Sequence, residues 1–273
     1  MILPFYPCMN RDAHYQVPRL HLPVAPKCNL SCLFCERDID PKNSLISAPG
    51  VATEIMTPEQ GIEKTGRFLN RWGMSAIVGI AGPGDPLANP ETLETFRLIR
   101  KRYQNVSLCI CTNGLNLPEA VAELKRLNVK YLTVTVNGLD PAIVAKIQPW
   151  IKKNGTFFKG HAGARILIQN QLEGIQAAVK TGLIVKINSV VVPGINEIHI
   201  AAIAQKARNL GATVINPMPL IPRGGLKKLK APSSAQMRFI YKVCETQLPV
   251  FKLCRQCRAD AEGIPGKEQH LCR

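Results

Sequence analysis

The 273-residue sequence has no run of eighteen apolar residues, which excludes an apolar membrane-spanning helix. Aromatic residues make up only 5% of it, so the ring platforms on which unpaired bases stack are scarce. Acidic residues are also few: 19 Asp and Glu stand against 35 Lys and Arg, a formal charge of +16. Such a surplus normally points to nucleic acid or another anionic partner. The longest basic clusters, 97–102 and 223–230, read instead as a helix face and a loop, and with so few aromatics nucleic acid is not the expected ligand. The opening Met1-Ile2-Leu3-Pro4-Phe5-Tyr6-Pro7 has no basic segment before its apolar stretch, and two prolines interrupt it. It does not read as a secretory signal, and a cytoplasmic location is expected. Neither a repeat nor a low-complexity segment stands out, and with 46% hydrophobic residues disorder is excluded as the main state.

Cysteine, by contrast, is plentiful, with ten residues at 8, 28, 32, 35, 109, 111, 244, 254, 257 and 272. Without a secretory signal, a disulfide framework is a poorer reading than ligation of a metal or cluster. Some thiols read simply as small buried hydrophobes, Cys244 first among them.

Short β-rich runs alternate with longer amphipathic runs. Strands are predicted over 20–24, 76–81, 106–111, 131–136, 183–192 and 213–218, and helices over 58–71, 90–102, 118–128, 162–181 and 198–210. Thr57-Pro58-Glu59-Gln60 reads as a capping box with an early proline. Asn89-Pro90 and Asp140-Pro141 repeat the cap-then-proline order, and Thr181-Gly182 reads as a helix stop. Repeated β-α units imply parallel strands with right-handed crossovers. About six of them predict a TIM-like parallel β/α barrel, complete or incomplete, over 20–225. Residues 1–19 form an N-terminal segment, and 226–273 a C-terminal extension with one helix, 233–247, and a cysteine-containing tail. Chemistry should then sit at the C-terminal ends of the strands.

Cys28-Asn29-Leu30-Ser31-Cys32-Leu33-Phe34-Cys35 follows the first strand directly. Three thiolates in eight residues can ligate three irons of a [4Fe–4S] cluster, leaving the fourth iron open. A zinc site or buried cysteines is the alternative, but zinc would call for a second Cys or His pair at ligand spacing. The motif, with Phe34 before its third cysteine, resembles that of the radical SAM superfamily, in which the open iron binds and reductively cleaves S-adenosylmethionine (SAM). That resemblance assigns Cys28, Cys32 and Cys35 to the catalytic cluster. Gly82-Pro83-Gly84-Asp85-Pro86 occupies the place of the superfamily's glycine-rich segment, which implies contacts from Gly82, Gly84 and Asp85 to SAM. Asn113 in Thr112-Asn113-Gly114, Asn137, Asn188, Ser189, and Glu197 in Pro193-Gly194-Ile195-Asn196-Glu197 occupy further strand-end positions implied to line the SAM pocket. Taken singly, most of these positions would read as ordinary turns.

Longer stretches resemble the NifB family of nitrogenase cofactor assembly. They are His21-Leu22-Pro23-Val24-Ala25-Pro26-Lys27-Cys28-Asn29, residues 79–91, residues 112–118, and Cys254-Arg255-Gln256-Cys257-Arg258-Ala259-Asp260-Ala261. The similarity runs from about Pro7 to Gly263 and implies the short form without a further carrier domain. The resemblance implies that two [4Fe–4S] precursor clusters are held beside the SAM site. A methyl from one SAM goes to a cluster sulfide. A 5′-deoxyadenosyl radical from a second SAM then abstracts hydrogen, and the carbon becomes a carbide as the clusters fuse. Implied partners are cluster-donor and cofactor-acceptor assembly proteins and an electron donor such as ferredoxin or flavodoxin. Implied ligands for one or two auxiliary clusters are Cys8, Cys109, Cys254 and Cys257. On their residues alone, Cys109 could be barrel core, and Cys254 with Cys257 could be half a zinc knuckle or a redox pair.

The sequence departs from the family pattern in three places. Asp40-Pro41-Lys42 stands where the family has a further cysteine, 45–50 differs from its Glu-Ser-Arg-Pro-Gly segment, and no histidine precedes Pro7. Cys111, Cys244, Cys272, His14 and His270 are candidate replacements, and His21 is read as structural rather than as a ligand. The alternative function is a radical SAM enzyme with auxiliary clusters acting on a peptide or small metabolite.

Overall fold

The computed structural model describes residues 3–39, 48–254 and 257–265. Cys272, His270, Asp40-Pro41-Lys42 and 45–47 lie outside the described residues. In chain order the elements are α1 (Arg11–His14), β1 (Arg19–His21), β2 (Asp38–Ile39), β3 (Val51–Ala52), α2 (Pro58–Trp72), β4 (Ile77–Ile80), α3 (Pro90–Arg102), β5 (Ser107–Thr112), α4 (Leu117–Arg126), β6 (Val129–Thr135), α5 (Pro141–Ile147), β7 (Trp150–Lys153), β8 (Thr156–Lys159), α6 (Gly160–Lys180), β9 (Ile184–Val191), α7 (Ile200–Asn209), β10 (Val214–Pro219), α8 (Ser234–Glu245) and β11 (Glu262–Gly263).

Six parallel strands, in the order β10-β9-β6-β5-β4-β1, form an incomplete barrel, and β11 adds antiparallel to β1. Among the described residues the sheet ends at β10 and β11 and does not close on itself. All six strands predicted from alternation are present, with ends shifted by no more than three residues. Thr57 makes the predicted capping box, Asp140 caps Ala142, and Gly182 takes a positive φ after α6. Asn89 is an exception: its side chain does not cap α3 but reaches across to the loop after β1.

The two faces of the sheet differ in chemistry because side chains alternate along each strand. Leu20, Val78, Ile80, Leu108, Ile110, Leu132, Val134, Val185, Ile187 and Ile215 pack with the flanking helices into one apolar core. The opposite, concave face is largely polar and runs in layers set by strand register. Gly79, Cys109, Tyr131 and Ile184 lie side by side, then Cys111, Thr133, Lys186 and Val214, then Thr135, Asn188 and Asn216. Buried aromatics occupy the lower part of this face: Tyr6 stacks on Tyr131 at 4.0 Å between centroids, and Phe251 joins the same apolar cluster. Parallel strands bring every loop that follows a strand to one end, which places the Cys28–Cys35 loop beside the loops after β4, β5 and β6.

Candidate active site and cluster-binding face

The cysteine loop leaves β1 and is held on three sides. From α5 and β7, the Ser31 and Leu33 N–H groups donate to the Trp150 and Ile147 carbonyls at 3.2 and 2.9 Å, and the Lys152 N–H donates to the Asn29 carbonyl at 2.6 Å. From the loop after β10, the Leu226 N–H donates to the Leu33 carbonyl at 3.3 Å. From the glycine-rich segment, the Gly84 and Asp85 N–H groups donate to the Ala25 and Lys27 carbonyls at 2.6 and 2.9 Å. Asn89 completes this last seam. Its amide donates to the Lys27 and Asp85 carbonyls at 2.8 and 2.7 Å, and its oxygen accepts the Lys27 N–H at 3.1 Å. Position 84 has to be glycine for the seam to close, since a Cβ there would lie 2.1 Å from the Lys27 oxygen.

Within the loop the Cys35 N–H donates to the Cys32 carbonyl at 2.9 Å, turning the chain so that the thiols gather. Cys28 and Cys32 are half-buried and Cys35 is exposed. Burial pushes the Cys28 thiol up to about 11, with the Asp85 charge adding to the rise. Burial also lifts Cys32 well above the ordinary thiol range, and the neighbouring Cys35 and Cys28 add to it. Three thiols that oppose one another's ionisation are a poor site without a cation and a good one with it. Two amides point at the sulfurs: Gln148 Nε2 donates to Cys32 Sγ at 3.5 Å, and Asn113 Nδ2 to Cys28 Sγ at 4.0 Å. Hydrogen bonds to ligand sulfurs are among the devices that set cluster potentials, so this donor set fits a cluster.

Asp85 is buried, and its carboxylate is committed within the protein. It accepts the Thr112 hydroxyl at 3.0 Å, the Asn113 N–H at 2.6 Å and the Leu87 N–H at 2.9 Å. Burial raises it to about 6 in spite of these donors. Gly82 lies against Pro49 and Ala259. Asn113 is beside Cys28, and its amide also bonds the Asn29 oxygen at 2.7 Å. Asn137 and Ser189 come together at the ends of β6 and β9. The Asn137 oxygen accepts the Val190 N–H at 2.9 Å, and the Ser189 hydroxyl donates to the Val136 carbonyl at 2.6 Å. Asn188 lies on the concave face, where its oxygen accepts the Asn216 amide at 2.9 Å. Glu197 stands apart from these residues. Its carboxylate accepts the Gly194 N–H, and it lines a shallow cavity with Pro232, Gln236 and Phe239.

A second group of thiols occupies the concave face. Cys109 and Cys111 come from β5, Cys8 from the N-terminal segment, and Cys254 and Cys257 from the tail. Burial raises the pKa of Cys8, Cys109, Cys111 and Cys257, to about 12 for Cys111 and about 11 for Cys257, and each thiol is raised further by one or more of the others. Two buried cations stand among them. Arg19 donates to Cys257 Sγ at 2.9 Å and to the Gly263 carbonyl at 3.1 Å. Lys186 donates to the Cys8 carbonyl at 2.9 Å and lies over the Phe251 ring at 4.8 Å. Glycine at position 79 leaves room for the Cys109 sulfur, which a Cβ would meet at 2.2 Å. The tail is pinned by Arg258, which pairs with Asp260 at 2.8 Å, while Asp260 accepts the Thr53 N–H at 2.6 Å. Burial works against ionisation of Asp260, but Arg258 and Thr53 hold it down at about 2. Among the described residues, no three His, Cys, Asp or Glu side chains close on a point that a single metal ion could occupy. A cluster presents several irons, so its ligands stand farther apart than those of one ion.

Residues 22–207 match the Radical SAM superfamily. Over 272 residues the chain is 40% identical to the FeMo cofactor biosynthesis protein NifB of Methanocaldococcus infernus, covering 100% of this chain and 89% of that protein. The chain belongs to the NifB family of radical SAM enzymes. Against the Klebsiella pneumoniae NifB it is 41% identical over 97% of its own length but spans only 58% of that longer protein. Among solved structures, Streptococcus suis SuiB aligns with a TM-score of 0.63 at 15% identity, over 87% of this chain and 50% of that one, a likeness of fold alone.

In this NifB-family chain, the proposed replacement ligands fall in different places. Cys111 joins the concave thiol group. Cys244 does not, because it is buried on α8 in the core that covers the opposite face. His14 Nδ1 bonds the Pro7 carbonyl at 2.8 Å, and its ring packs edge-on to Phe251. His21 Nδ1 meets the Arg258 carbonyl at 3.2 Å. Arg19, Lys186, Gln148 and Asn89 are the site-building residues that the sequence reading misses. Only Asn89 stands in a stretch singled out there.

Proposed function

We propose that this NifB-family chain joins [4Fe–4S] precursor clusters into one larger iron–sulfur core and inserts a SAM-derived carbon, as a step in FeMo cofactor assembly. The observation that carries this reading is the meeting of five thiols from three distant chain segments with Arg19 and Lys186 on the concave face. Thiolate-bound clusters are anionic, and buried cations such as Arg19 and Lys186 would be stabilised by that charge. A [4Fe–4S] cluster with SAM supplies reductive cleavage of SAM to a carbon radical.

The chain's own residues have separable tasks. Cys28, Cys32 and Cys35 hold the cluster that engages SAM, while Gln148 and Asn113 donate to two of the sulfurs. Asp85 and Asn89 fix the loops that would face SAM. Cys8, Cys109, Cys111, Cys254 and Cys257 hold the substrate clusters, and Tyr6, Tyr131 and Phe251 close the lower end against water. Cluster-donor and acceptor assembly proteins, and a reductant protein in the cytoplasm, complete the proposal.

The decisive experiment is iron and sulfide analysis of an anaerobically reconstituted variant with Cys28, Cys32 and Cys35 all replaced by Ala. Residual iron matching one or two clusters is expected. A variant without iron would leave the concave thiols without a substrate-holding role and would sink the proposal.

A further inference from the structure

Acidic residues vanish from one long part of the sequence. Between Glu197 and Glu245, 47 residues contain eight Lys or Arg and no Asp or Glu. This segment carries α7, the loop after β10, and α8. Lys206, Arg208, Lys227, Lys228, Lys230, Arg238 and Lys242 are all exposed. An apolar patch lies among them: Ile198 is 91% and Phe239 70% exposed, beside the shallow cavity lined by Pro193, Pro232 and Gln236. Glu197 lines the same cavity, but the charge across the rest of this surface is positive, and exposed apolar side chains beside such a field mark a candidate protein-docking surface.

The position of this surface narrows the partner. Its loop rests directly on the cysteine loop, through the Leu226 N–H to the Leu33 carbonyl at 3.3 Å and the Gly224 N–H to the Glu36 carboxylate at 2.9 Å. Cys35, beside Glu36, is exposed. Arg37 adds a further positive charge there, while Glu36 and Asp38 are the acidic groups at that rim among the described residues. Electron transfer weakens steeply with distance, so a reductant protein must dock where the cluster loop reaches the surface.

We propose that the basic loop Arg223, Lys227, Lys228 and Lys230, continued by α8, is the docking surface for a small acidic protein that carries one low-potential electron. In each encounter one electron leaves the carrier's reduced centre and enters the site at Cys28, Cys32 and Cys35, so the carrier is oxidised by one electron and the site reduced by one. The proposal rests on the radical SAM assignment, not on the identity of the assembled product.

The test first measures the affinity of flavodoxin for the protein. That affinity should weaken at least about tenfold at low salt when Lys227, Lys228 and Lys230 are replaced by Glu, and its constancy would overturn the proposal. The test also measures the 5′-deoxyadenosine formed from SAM by the reconstituted protein with two reductants, reduced flavodoxin and dithionite. Replacing Lys227, Lys228 and Lys230 together by Glu is expected to lower flavodoxin-driven cleavage at least about tenfold at low salt, with the gap closing at high salt. Dithionite-driven cleavage should stay at the unaltered rate, because a small reductant needs no docking. The control variant K101E/R102E, which reverses charge on α3, should leave both rates in place.

Equal loss with both reductants would mean that the loop only supports the cluster, and the proposal fails. Equal loss in the α3 control would mean general charge attraction rather than a docking surface, and again the proposal fails. Unchanged flavodoxin-driven cleavage, with a fall only in delivery of product to an acceptor protein, would reassign the surface to that acceptor. Absence of dithionite-driven cleavage in the unaltered protein would overturn the radical SAM assignment itself.

Discussion

Gln148 has no charge and belongs to no motif, yet its amide donates to Cys32 Sγ at 3.5 Å while its own oxygen is buried without a partner among the described residues. A donor to a ligand sulfur stabilises the reduced, more negative cluster, so Gln148→Leu should lower the cluster's midpoint potential by roughly tens of millivolts. An EPR-monitored redox titration of the reconstituted protein checks this, and an unchanged potential would reduce the amide to packing. The cysteines that Gln148 serves were legible because spacing within one loop is local information. Gln148, Arg19 and Lys186 were not, because their meaning comes from residues far away in sequence: Arg19 bonds Cys257, and Lys186 bonds the carbonyl of Cys8. An Arg or Lys within a strand pattern reads as solvent-facing until the strand's partners are known.

At the scale of elements, the β-α alternation was legible because each strand's helix-covered face is continuously apolar and each helix carries an apolar stripe. The insertion between α5 and α6 was not. Asn154 and Gly155 both take positive φ at the tip of the β7–β8 hairpin, the backbone signature that Asn-Gly supplies in two-residue turns. Asn-Gly is a local turn signal, but the hairpin it forms interrupts the β-α alternation that sets the expectation for this stretch. It matters because β7 is one of the three supports of the cysteine loop. The glycine-rich seam is another, and its demand is steric. Gly84→Ala would force the Lys27 carbonyl away from a methyl that it now overlaps, at a cost of about 1–3 kcal/mol. The expected outcome is a lowered melting temperature together with reduced iron retention at the SAM-cluster loop. A variant that melts and binds iron like the unaltered protein would show that the seam can yield.

At the scale of the molecule, acid should loosen the fold through His21. Burial, with Arg19 adding to it, lowers His21 from its usual range to about 4. Between about 6.5 and 4 the unfolded chain therefore binds a proton that the folded chain refuses. This contribution is fully present above about pH 6.5 and is lost as pH falls toward 4, on the order of 3 kcal/mol in all. Denaturation of the cluster-free protein across that range should show the slope, and His21→Gln should flatten it. An identical slope in the variant would assign the acid sensitivity to other groups.

The pairing of β11 with β1 has a consequence for how the protein is made. Arg19 and Gly263 are register partners, so the first strand of the sheet gains its outer neighbour from almost the last described residues of the chain. Ribosomes deliver the Cys8, Cys28 and Cys109 segments long before Cys257, and loop closure over that span is slow. The concave thiols therefore stay open until the segment carrying Cys257 and Gly263 has been made, and they become a single compartment only when that segment folds back onto β1. The pairing of β1 with β11 thus acts as a late clasp, joining the earliest strand of the sheet to the segment that brings the last of the concave thiols.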